Sequence, residues 1–507
     1  MQQQNKKKSG LAIAGLRGGT GKTVISLGII AAWRELGIKI APFKKGPDYI
    51  DAGWLAKAAG RPCYNLDTFF CTPLQVKKSF LKNSLNSDIA IIEGNRGLYD
   101  CIDVQGETST AEIAKLLKIP LLLIIDCTKA TRTIAALVMG CMHFDPDLNI
   151  MGIVLNRVAG KRHEGKVRDN IEKYCNIPVF GAVPKLNAED FPERHMGLIP
   201  SAEHLFTTAS INAAAKVAKE NINLDALYSA CQKISDELPE DEKNEFKGIE
   251  LENIKPETIK PENIKPENIK SDEFIFKTGT LQKIVLKDES PVIGVIKDSA
   301  FQFYYPDNLD ALEKKGAVLK VISPLKDRCI PHVDAIYMGG GFPETHAAEL
   351  AANKDFRDNL KKLARHGLPI YAECGGLIFL GKSLLLEGTI FPMSGVLPIA
   401  FGLSKKPVGH GYTKVKVVND NSFFKKNEII KGHEFRYSTI LDIDFQEKDM
   451  AFYMERGKGI IDKRDGFCWK NVLGTYTHIH ALGTPSWADA FINKAIEYKK
   501  HSYIKYQ

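Results

Sequence analysis

Residues 11–33, which read "LAIAGLRGGTGKTVISLGIIAAW", decide the fold of the N-terminal half. An apolar run, a glycine-rich turn and a longer stretch with helical periodicity follow one another, so they predict a buried strand, a tight loop and a helix. Glycines in such a loop let backbone N–H groups face an anion at the helix N-terminus, and a lysine adds positive charge. The stretch therefore predicts a nucleotide phosphate site that includes magnesium, formed by Gly18, Gly19, Gly21, Lys22 and Thr23.

The loop departs from the strict phosphate-loop pattern, because Leu16 stands where the first glycine is expected. Its form "RGGTGKT" resembles the deviant loop of the MinD, ParA and dethiobiotin synthetase superfamily, in which an extra lysine often precedes the two glycines. Arg17 takes that position here. A glycine-rich turn without a ligand is the alternative interpretation, and the flanking strand and helix favour nucleotide binding.

Composition narrows the class of protein. The chain has 507 residues, of which 44% are hydrophobic, and this is enough for at least two buried cores. The net charge is +8, and the lysines are interspersed with acidic residues. The sequence therefore shows no basic patch of the kind that binds nucleic acid. No run approaches the ~18 apolar residues of a membrane span, and the ten cysteines form no C-x-x-C pair. We expect a cytoplasmic protein with reduced thiols that binds neither nucleic acid nor membrane.

A repeat divides the chain into two domains. Between residues 236 and 270 the apolar periodicity stops, and "ENIKPETIKPENIKPENIK" repeats a five-residue unit with prolines. We therefore predict a linker over 232–290, between a domain over 9–231 and a domain over 291–502. Apolar runs alternate with helical stretches on both sides of the linker, a pattern that predicts α/β domains with parallel sheets.

Charged residues follow two predicted strands of the first domain. "APFKKGPDYIDAGW" carries Lys44, Asp48 and Asp51 after one strand, and "DIAIIEGNRGLYD" carries Glu93 and Asp100 after another. The carboxyl ends of strands in such sheets form ligand sites, and carboxylates with a threonine hydroxyl suit Mg²⁺. We expect Thr23, Asp51 and Glu93 to hold the metal. A solvated charged turn is the alternative for the first segment.

The second domain contains a candidate nucleophile. "LPIYAECGGLIFLG" predicts a strand, a sharp turn at Cys374 and the start of a helix, which is the form of an elbow that exposes a nucleophile above a sheet. The alternative is a buried cysteine that acts only as a small apolar residue. A histidine should activate the thiol, and "VLGTYTHIHALGTPSWADAF" offers both His478 and His480.

Three segments of the first domain resemble signatures of the cobyrinic acid a,c-diamide synthase family: "PFKKGPDYID", "IIEGNRGLYD" and "ERHMGLIP". Members are ATP-dependent amidases that convert two acetate carboxylates of a corrin precursor to amides with glutamine nitrogen. The resemblance covers roughly residues 9–230 and 290–500 and implies that Lys22 and Lys44 contact the ATP phosphates. Asn156 is also assigned to the nucleotide site. The corrinoid and metal site would be lined by Asp48, Tyr49, Ile50, Asp51, Glu93 and Asp100.

The second domain resembles class I glutamine amidotransferase domains of the cobyric acid synthase type, whose motif ends in G-T-Y-x-H. This resemblance selects His478 over His480 and implies that "MGGGFPE" is the oxyanion loop. "GHEFRYS" also matches, with Arg436 where most members have histidine. We assign no acid to a third catalytic position, because the family is expected to work with cysteine and histidine alone.

Together the resemblances imply glutamine-hydrolysing amidation of the a and c acetates of cobyrinic acid through acyl phosphates. The expected partners are ATP, Mg²⁺, L-glutamine and a corrinoid or related tetrapyrrole carboxylate, with a homodimer as one possible assembly. Nickel sirohydrochlorin and hydrogenobyrinic acid remain alternative substrates. An alternative of another class is a MinD-like or ParA-like ATPase switch whose second domain is not catalytic.

Overall fold

The computed structural model describes residues 9–186, 193–194, 197–198, 207–237 and 290–505. The predicted linker lies outside the described residues except at its two ends. At the first end a helix continues to Glu237, so residues 232–237 are helical although the sequence prediction places them in the linker. Much of the signature "ERHMGLIP" also lies outside the described residues.

Parallel strands form the sheet of the N-terminal half. They are Ser9–Gly15 (β1), Ile40–Lys45 (β2), Tyr64–Leu66 (β3), Ile89–Glu93 (β4), Leu121–Asp126 (β5), Ile150–Val158 (β6) and Val179–Pro184 (β7). Their order is β3-β2-β4-β1-β5-β6-β7, and every neighbouring pair is parallel. A separate two-stranded sheet pairs Glu193–Arg194 (β8) with Gly197–Leu198 (β9). The expected parallel α/β domain is therefore confirmed.

Helices cover both faces of this sheet. They are Lys22–Glu35 (α1), Ile50–Ala59 (α2), Pro73–Ser84 (α3), Thr110–Leu117 (α4), Arg132–Phe144 (α5), Lys161–Cys175 (α6), Thr207–Asn221 (α7) and Leu224–Glu237 (α8). Side chains of β1 alternate between two cores, with Leu11 and Ile13 in one and Ala12 and Ala14 in the other. Burial on both faces explains why β1 reads as a continuous apolar run.

The strands of the C-terminal half form a larger, mixed sheet and a smaller one. They are Val292–Ile296 (β10), Val318–Ile322 (β11), Ala335–Met338 (β12), Ile370–Glu373 (β13), Ser383–Leu386 (β14), Thr389–Pro392 (β15), Ile399–Leu403 (β16), Gly409–Val417 (β17), Ile429–Arg436 (β18), Ser438–Ile443 (β19), Met450–Arg456 (β20), Arg464–Trp469 (β21), Val472–Thr475 (β22) and His478–Ile479 (β23). The ten-stranded sheet is parallel over β11-β10-β12-β13-β22 and antiparallel over β22-β21-β20-β17-β18-β23. The four-stranded sheet has the order β15-β14-β16-β19.

The helices of this half pack around the large sheet. They are Pro306–Lys314 (α9), Ala347–Ala352 (α10), Lys354–Arg365 (α11), Gly375–Leu380 (α12) and Pro485–Lys505 (α13), with 3₁₀ turns at Pro343–His346 and Glu447–Asp449. A second α/β domain is therefore confirmed. Within the part of the chain that the structure describes, no helix combines the length and the apolar character that a membrane span requires.

The two halves dock against each other through polar contacts. The Tyr64 hydroxyl donates to Asp310 (3.0 Å), and the Tyr412 hydroxyl donates to Asp67 (2.5 Å). A third contact joins the Gln75 side-chain amide to the backbone oxygen of Leu482. This docking brings the loops that follow β2 and β10 together, so the predicted sites of the two halves share one interface.

Candidate active site

The phosphate loop has the backbone form that its glycines predict. Gly21 has φ of 90° and precedes α1, and a Cβ there would lie 2.2 Å from the Asn156 amide nitrogen. That amide donates to the backbone oxygen of Thr20 at 2.7 Å, so Asn156 braces the loop from behind. A Cβ at Gly18 or Gly19 would meet nothing within 4 Å. The outer side of the loop therefore has room for an anion, and α1 has no side-chain N-cap competing for its first N–H groups.

Lys22 bridges two loops at this site. Its ammonium donates to the backbone oxygens of Arg17 (3.0 Å) and Arg96 (2.7 Å). Burial, together with the charge of Lys44, lowers the pKa of Lys22 to about 8. Among the described residues, the hydrogen-bond partners of the ammonium are these carbonyl oxygens, and a phosphate would supply the opposite charge. Arg17 itself is exposed and pairs with Asp126.

The acids predicted to hold a metal converge on Lys44. Its ammonium lies 2.7 Å from Asp51 Oδ2 and 2.8 Å from Glu93 Oε1, and its side chain is 1% exposed. Because β2 and β4 are neighbours, Lys44 and Glu93 are paired across the sheet. Burial opposes the charge of Lys44, yet the two carboxylates outweigh burial and raise the pKa of its ammonium. Lys44, Asp51 and Glu93, all named from the sequence, therefore lie in one cluster, and Lys44 lies between the two acids.

The same cluster fits a magnesium ion that is also held by phosphate. Glu93 Oε2 is buried and has no hydrogen-bond partner among the described residues, and the Thr23 hydroxyl donates to Glu93 Oε1 at 2.8 Å. Over the described ranges, no group of three or more His, Cys, Asp or Glu side chains is arranged to hold a metal ion. Mg²⁺ commonly binds through one or two carboxylates, with phosphate and water completing its octahedron. The donor set of Thr23, Glu93 and Asp51 is compatible with that mode.

The remaining residues predicted to line the substrate site divide into two groups. Asp48 Oδ1 accepts the Asp51 N–H at 2.8 Å, and burial together with the charge of Asp51 raises the pKa of Asp48 to about 7. Asp100 Oδ2 accepts the Gly97 N–H, and Ile50 is buried at the start of α2. The structure therefore keeps Asp48 beside the Lys44 cluster and uses Asp100 to order a neighbouring loop.

Tyr49 extends from the Lys44 cluster to the other half of the molecule. Its ring stacks on Phe303 with centroids 5.2 Å apart, and it lies 4.4 Å from Tyr305. It also contacts the imidazoles of His433 and His478, at 5.5 Å and 5.4 Å. These aromatic contacts connect the two candidate sites directly.

Cys374 lies at the predicted elbow. It has φ of 48° and ψ of −97°, between β13 and α12, a left-handed φ that is unusual for a residue other than glycine. A Cβ at Gly375 would lie 2.9 Å from the Gly341 nitrogen, and one at Gly340 would lie 2.6 Å from His478 Cε1. Glycine at these positions therefore lets the "MGGGFPE" loop approach both the thiol and the imidazole.

The two candidate histidines have different partners. Burial opposes protonation of His478, but Cys374 and Glu373 raise its pKa to about 10, and its Nδ1 lies 3.2 Å from Glu373 Oε2. His480 contacts Asp307 and the thiol of Cys71, at 3.2 Å and 3.8 Å. The structure therefore pairs Cys374 with His478, as the G-T-Y-x-H resemblance implies.

The sequence assigned no role at this site to Glu373 or His433. Glu373 is a buried carboxylate inside an otherwise apolar run, and that position beside the nucleophile was a usable signal. His433 stacks on His478 at 4.8 Å, and burial and the charges of His478 and His480 keep the pKa of His433 well below its usual value. No spacing rule indicated this contact, because it depends on the pairing of β18 with β23.

Comparison with known proteins defines the class first. Residues 11–199 match the CobQ/CobB/MinD/ParA nucleotide binding domain, and residues 292–486 match the CobB/CobQ-like glutamine amidotransferase domain. With the docked pair of sites described above, these matches identify a nucleotide-binding, glutamine-dependent amidating ligase.

The relatives then identify the family. The chain is 36% identical to a cobyrinate a,c-diamide synthase of Magnetococcus marinus, over 94% of this chain and 95% of that one. It is 36% identical to the enzyme of that name from Archaeoglobus fulgidus, over 96% and 98% of the two chains. For the Salmonella typhimurium enzyme of the same name the identity is 34%, over 93% and 95%. The chain belongs to the cobyrinate a,c-diamide synthase family.

Proposed function

We propose that the protein amidates the a and c acetate carboxylates of cobyrinic acid, with ATP and glutamine, to give cobyrinic acid a,c-diamide. The observation that carries the proposal is the similarity to relatives of this name over more than 90% of the lengths of both chains. The elbow cysteine and the phosphate loop, docked at one interface, agree with such a reaction.

The N-terminal site would activate the carboxylate. A carboxylate resists ammonia because oxide is a poor leaving group, so the γ-phosphoryl group of ATP is first transferred to it, giving an acyl phosphate and ADP. Lys22 and Lys44 would offset the charge on the phosphoryl group. Mg²⁺, bound by Thr23, Asp51 and Glu93 as well as phosphate, would neutralise further charge. The unpaired Glu93 Oε2 and the room outside Gly18 and Gly19 support this assignment.

The C-terminal site would release ammonia from glutamine. Cys374 Sγ, whose proton is held by His478, attacks the side-chain amide carbon, and His478 then protonates the departing nitrogen. Ammonia leaves, and water hydrolyses the resulting thioester to glutamate. The N–H of Gly339 is not free to bind the oxyanion, because it already donates to the Tyr304 hydroxyl at 2.7 Å. We therefore assign oxyanion stabilisation to the N–H groups of Gly341 and Gly375.

Ammonia must travel between the sites in its un-ionised form. The contact of Tyr49 with His478 supports a short, protected route, because it connects the synthetase cluster to the imidazole through packed aromatic rings. The side chain of Phe303 has no polar atom that could hold water, and the Tyr305 hydroxyl already contacts Pro47 O and His433 Nδ1. Ammonia released at Cys374 would then displace phosphate from the acyl phosphate and form the amide.

Product analysis tests the proposed substrate. The protein is incubated with ATP, Mg²⁺ and glutamine and with cobyrinic acid, hydrogenobyrinic acid or nickel sirohydrochlorin in turn, and products are identified by mass spectrometry. We expect cobyrinic acid to gain two amides, with the highest kcat/KM of the three. A higher kcat/KM for either of the other tetrapyrroles would reassign the substrate, and no amide product with any of them would contradict the proposal.

A further inference from the structure

The carboxylate of Glu373 lies beside the imidazole of His478, which also contacts the Cys374 thiol. Its Oε2 is 3.2 Å from His478 Nδ1, and Glu373 is the residue immediately before Cys374. We propose that Glu373 is a positioning residue for glutamine hydrolysis, the third member of a Cys374–His478–Glu373 relay. The proposal rests on the roles proposed above for Cys374 and His478.

Glu373 is too buried to be a charged residue that only improves solubility at the surface. The side chain has no exposed surface, and an unpaired carboxylate in such a place is costly. Its contacts compensate for burial: Oε1 accepts the Ile479 N–H at 3.3 Å, and Oε2 faces the Tyr337 hydroxyl at 3.5 Å as well as His478. Of these contacts, the one with His478 matters most for the reaction, because a carboxylate there favours the protonated imidazole.

The hydrogen bond determines which nitrogen of His478 faces the thiol. A carboxylate at Nδ1 keeps a hydrogen on that nitrogen, so Nε2 is the nitrogen that exchanges a proton with Cys374. The Glu373 carboxylate stabilises the imidazolium that carries this proton. The proton on Nε2 passes to the departing amide nitrogen, and the neutral ring takes a proton back from the water that hydrolyses the thioester.

The left-handed φ of Cys374 explains how adjacent residues reach one imidazole. Successive side chains of a regular strand point to opposite faces. The turn at Cys374, with φ of 48°, ends β13 and redirects the chain into α12. Glu373 and Cys374 can therefore contact two different sides of the His478 ring although no residue separates them.

The variant Glu373→Gln keeps the shape of the side chain and removes its charge. We expect glutamine-dependent kcat to fall about 10²-fold to 10⁴-fold, with a smaller change in the KM for glutamine. Loss of the carboxylate should lower the pKa of His478, so the pH profile of glutamine hydrolysis should shift. Alkylation of Cys374 by iodoacetamide should also require a higher pH, because a less basic imidazole favours the thiolate less. Groups that face the relay and remain in the variant are Tyr49, Tyr337, Tyr371 and His433.

Asp465→Asn is the matched control. Asp465 is also fully buried, and it accepts hydrogen bonds from Thr475, Tyr476 and Thr477, just before His478. These hydrogen bonds go to the segment before His478 and not to its imidazole. The Asp465→Asn variant therefore measures the effect of losing a buried acid that holds the local structure. We expect the residual activity of Asp465→Asn to have the same pH profile as that of the parent protein. The pH dependence of Cys374 alkylation should also be unchanged.

Glu373→Asp is the second variant, and it should recover part of the lost rate because it restores the charge. The proposal is overturned if Glu373→Gln keeps glutamine hydrolysis within about 3-fold of the parent protein, or if both buried-acid variants lose rate with the same unshifted profile. If Cys374→Ala retained glutamine-dependent amidation, the proposed function of the site would fail instead. The two failures are therefore distinguishable.

Discussion

The protein contains two sets in which a buried histidine contacts a cysteine and a carboxylate. In the first, His478 lies between Cys374 and Glu373, and in the second, His480 lies between Cys71 and Asp307. The histidine–carboxylate distance is 3.2 Å in both sets. Burial opposes protonation of each histidine, and its partners nevertheless raise its pKa to about 10 in both cases.

The surroundings of the two sets differ. Cys374 lies at an elbow, and the backbone of the "MGGGFPE" loop packs closely against it. Cys71 comes from the other half of the chain, just before α3, and Phe70 and Tyr305 pack against the His480 ring. The second set therefore joins the two halves. An acid, an imidazole and a thiol in contact therefore do not define a catalytic site by themselves, because the attack of a thiol also needs N–H donors for the oxyanion.

The histidines provide the largest expected contrast. We expect His478→Asn to reduce glutamine-dependent amide formation by about 10²-fold to 10⁴-fold, because the group that accepts and returns the thiol proton is lost. The measurement is the initial rate of glutamate release.

His480→Asn is the matched control at the second set. It should leave the glutaminase rate within about 10-fold of the parent protein, since His480 contacts Cys71 rather than Cys374. Equal losses in the two variants would abolish the functional distinction between the sets.

Asp307→Asn should have a smaller effect on rate and a measurable effect on stability. It leaves a buried His480 without its carboxylate, and breaking a buried ion pair in this way costs about 3–5 kcal/mol. Urea unfolding measures the loss.

Lys82→Ala is the matched control. It removes a cross-domain pair with Asp310 that is partly exposed, and should cost at most about 1 kcal/mol. If both variants lost the same free energy of unfolding, the pair of His480 with Asp307 would stabilise the docked halves no more than an exposed ion pair does.

The stabilisation from Asp307 should depend on pH. Because the pKa of His480 is raised in the folded protein, the ion pair contributes fully below the unfolded value of 6.5 and loses its contribution as the pH rises through about 10. The difference in unfolding free energy between the parent protein and Asp307→Asn should therefore shrink from pH 6.5 towards pH 10. A difference that grows over this range would contradict the assigned ion pair.

The linker should have the smallest effect. Direct contacts such as His480 with Cys71 connect the halves, and the repeat over 250–270 lacks the apolar residues of a core. Replacing 250–270 with a flexible spacer of equal length should change the glutamine-dependent rate by less than about 3-fold. A large loss of rate would show that the repeat has a structural role.

Local motifs predicted the parts of the sites that are close in sequence. The loop around Gly21 and the elbow at Cys374 are strand–turn–helix units, so their residues alone indicate the backbone form. The position of Lys44 between Asp51 and Glu93 depends on the pairing of β2 with β4, which no spacing reveals.

Contacts between the domains were beyond reach of the sequence for the same reason. Tyr49 was predicted to line the substrate site, yet its ring also contacts His478, more than 400 residues away along the chain. Likewise, the sequence left His478 and His480 as equal candidates until a family resemblance separated them. Their different partners arise from the docking of the two halves and the pairing of β18 with β23.

The most direct test of a two-site enzyme is amide formation with either nitrogen source. We predict that Cys374→Ala forms no diamide with glutamine but forms it with ammonium at alkaline pH, where un-ionised ammonia reaches the acyl phosphate made at Lys22 and Lys44. Lys22→Ala should form none with either source, because the carboxylate is not activated. Full glutamine-dependent activity in Cys374→Ala, or failure of ammonium to restore the folded variant, would contradict the account.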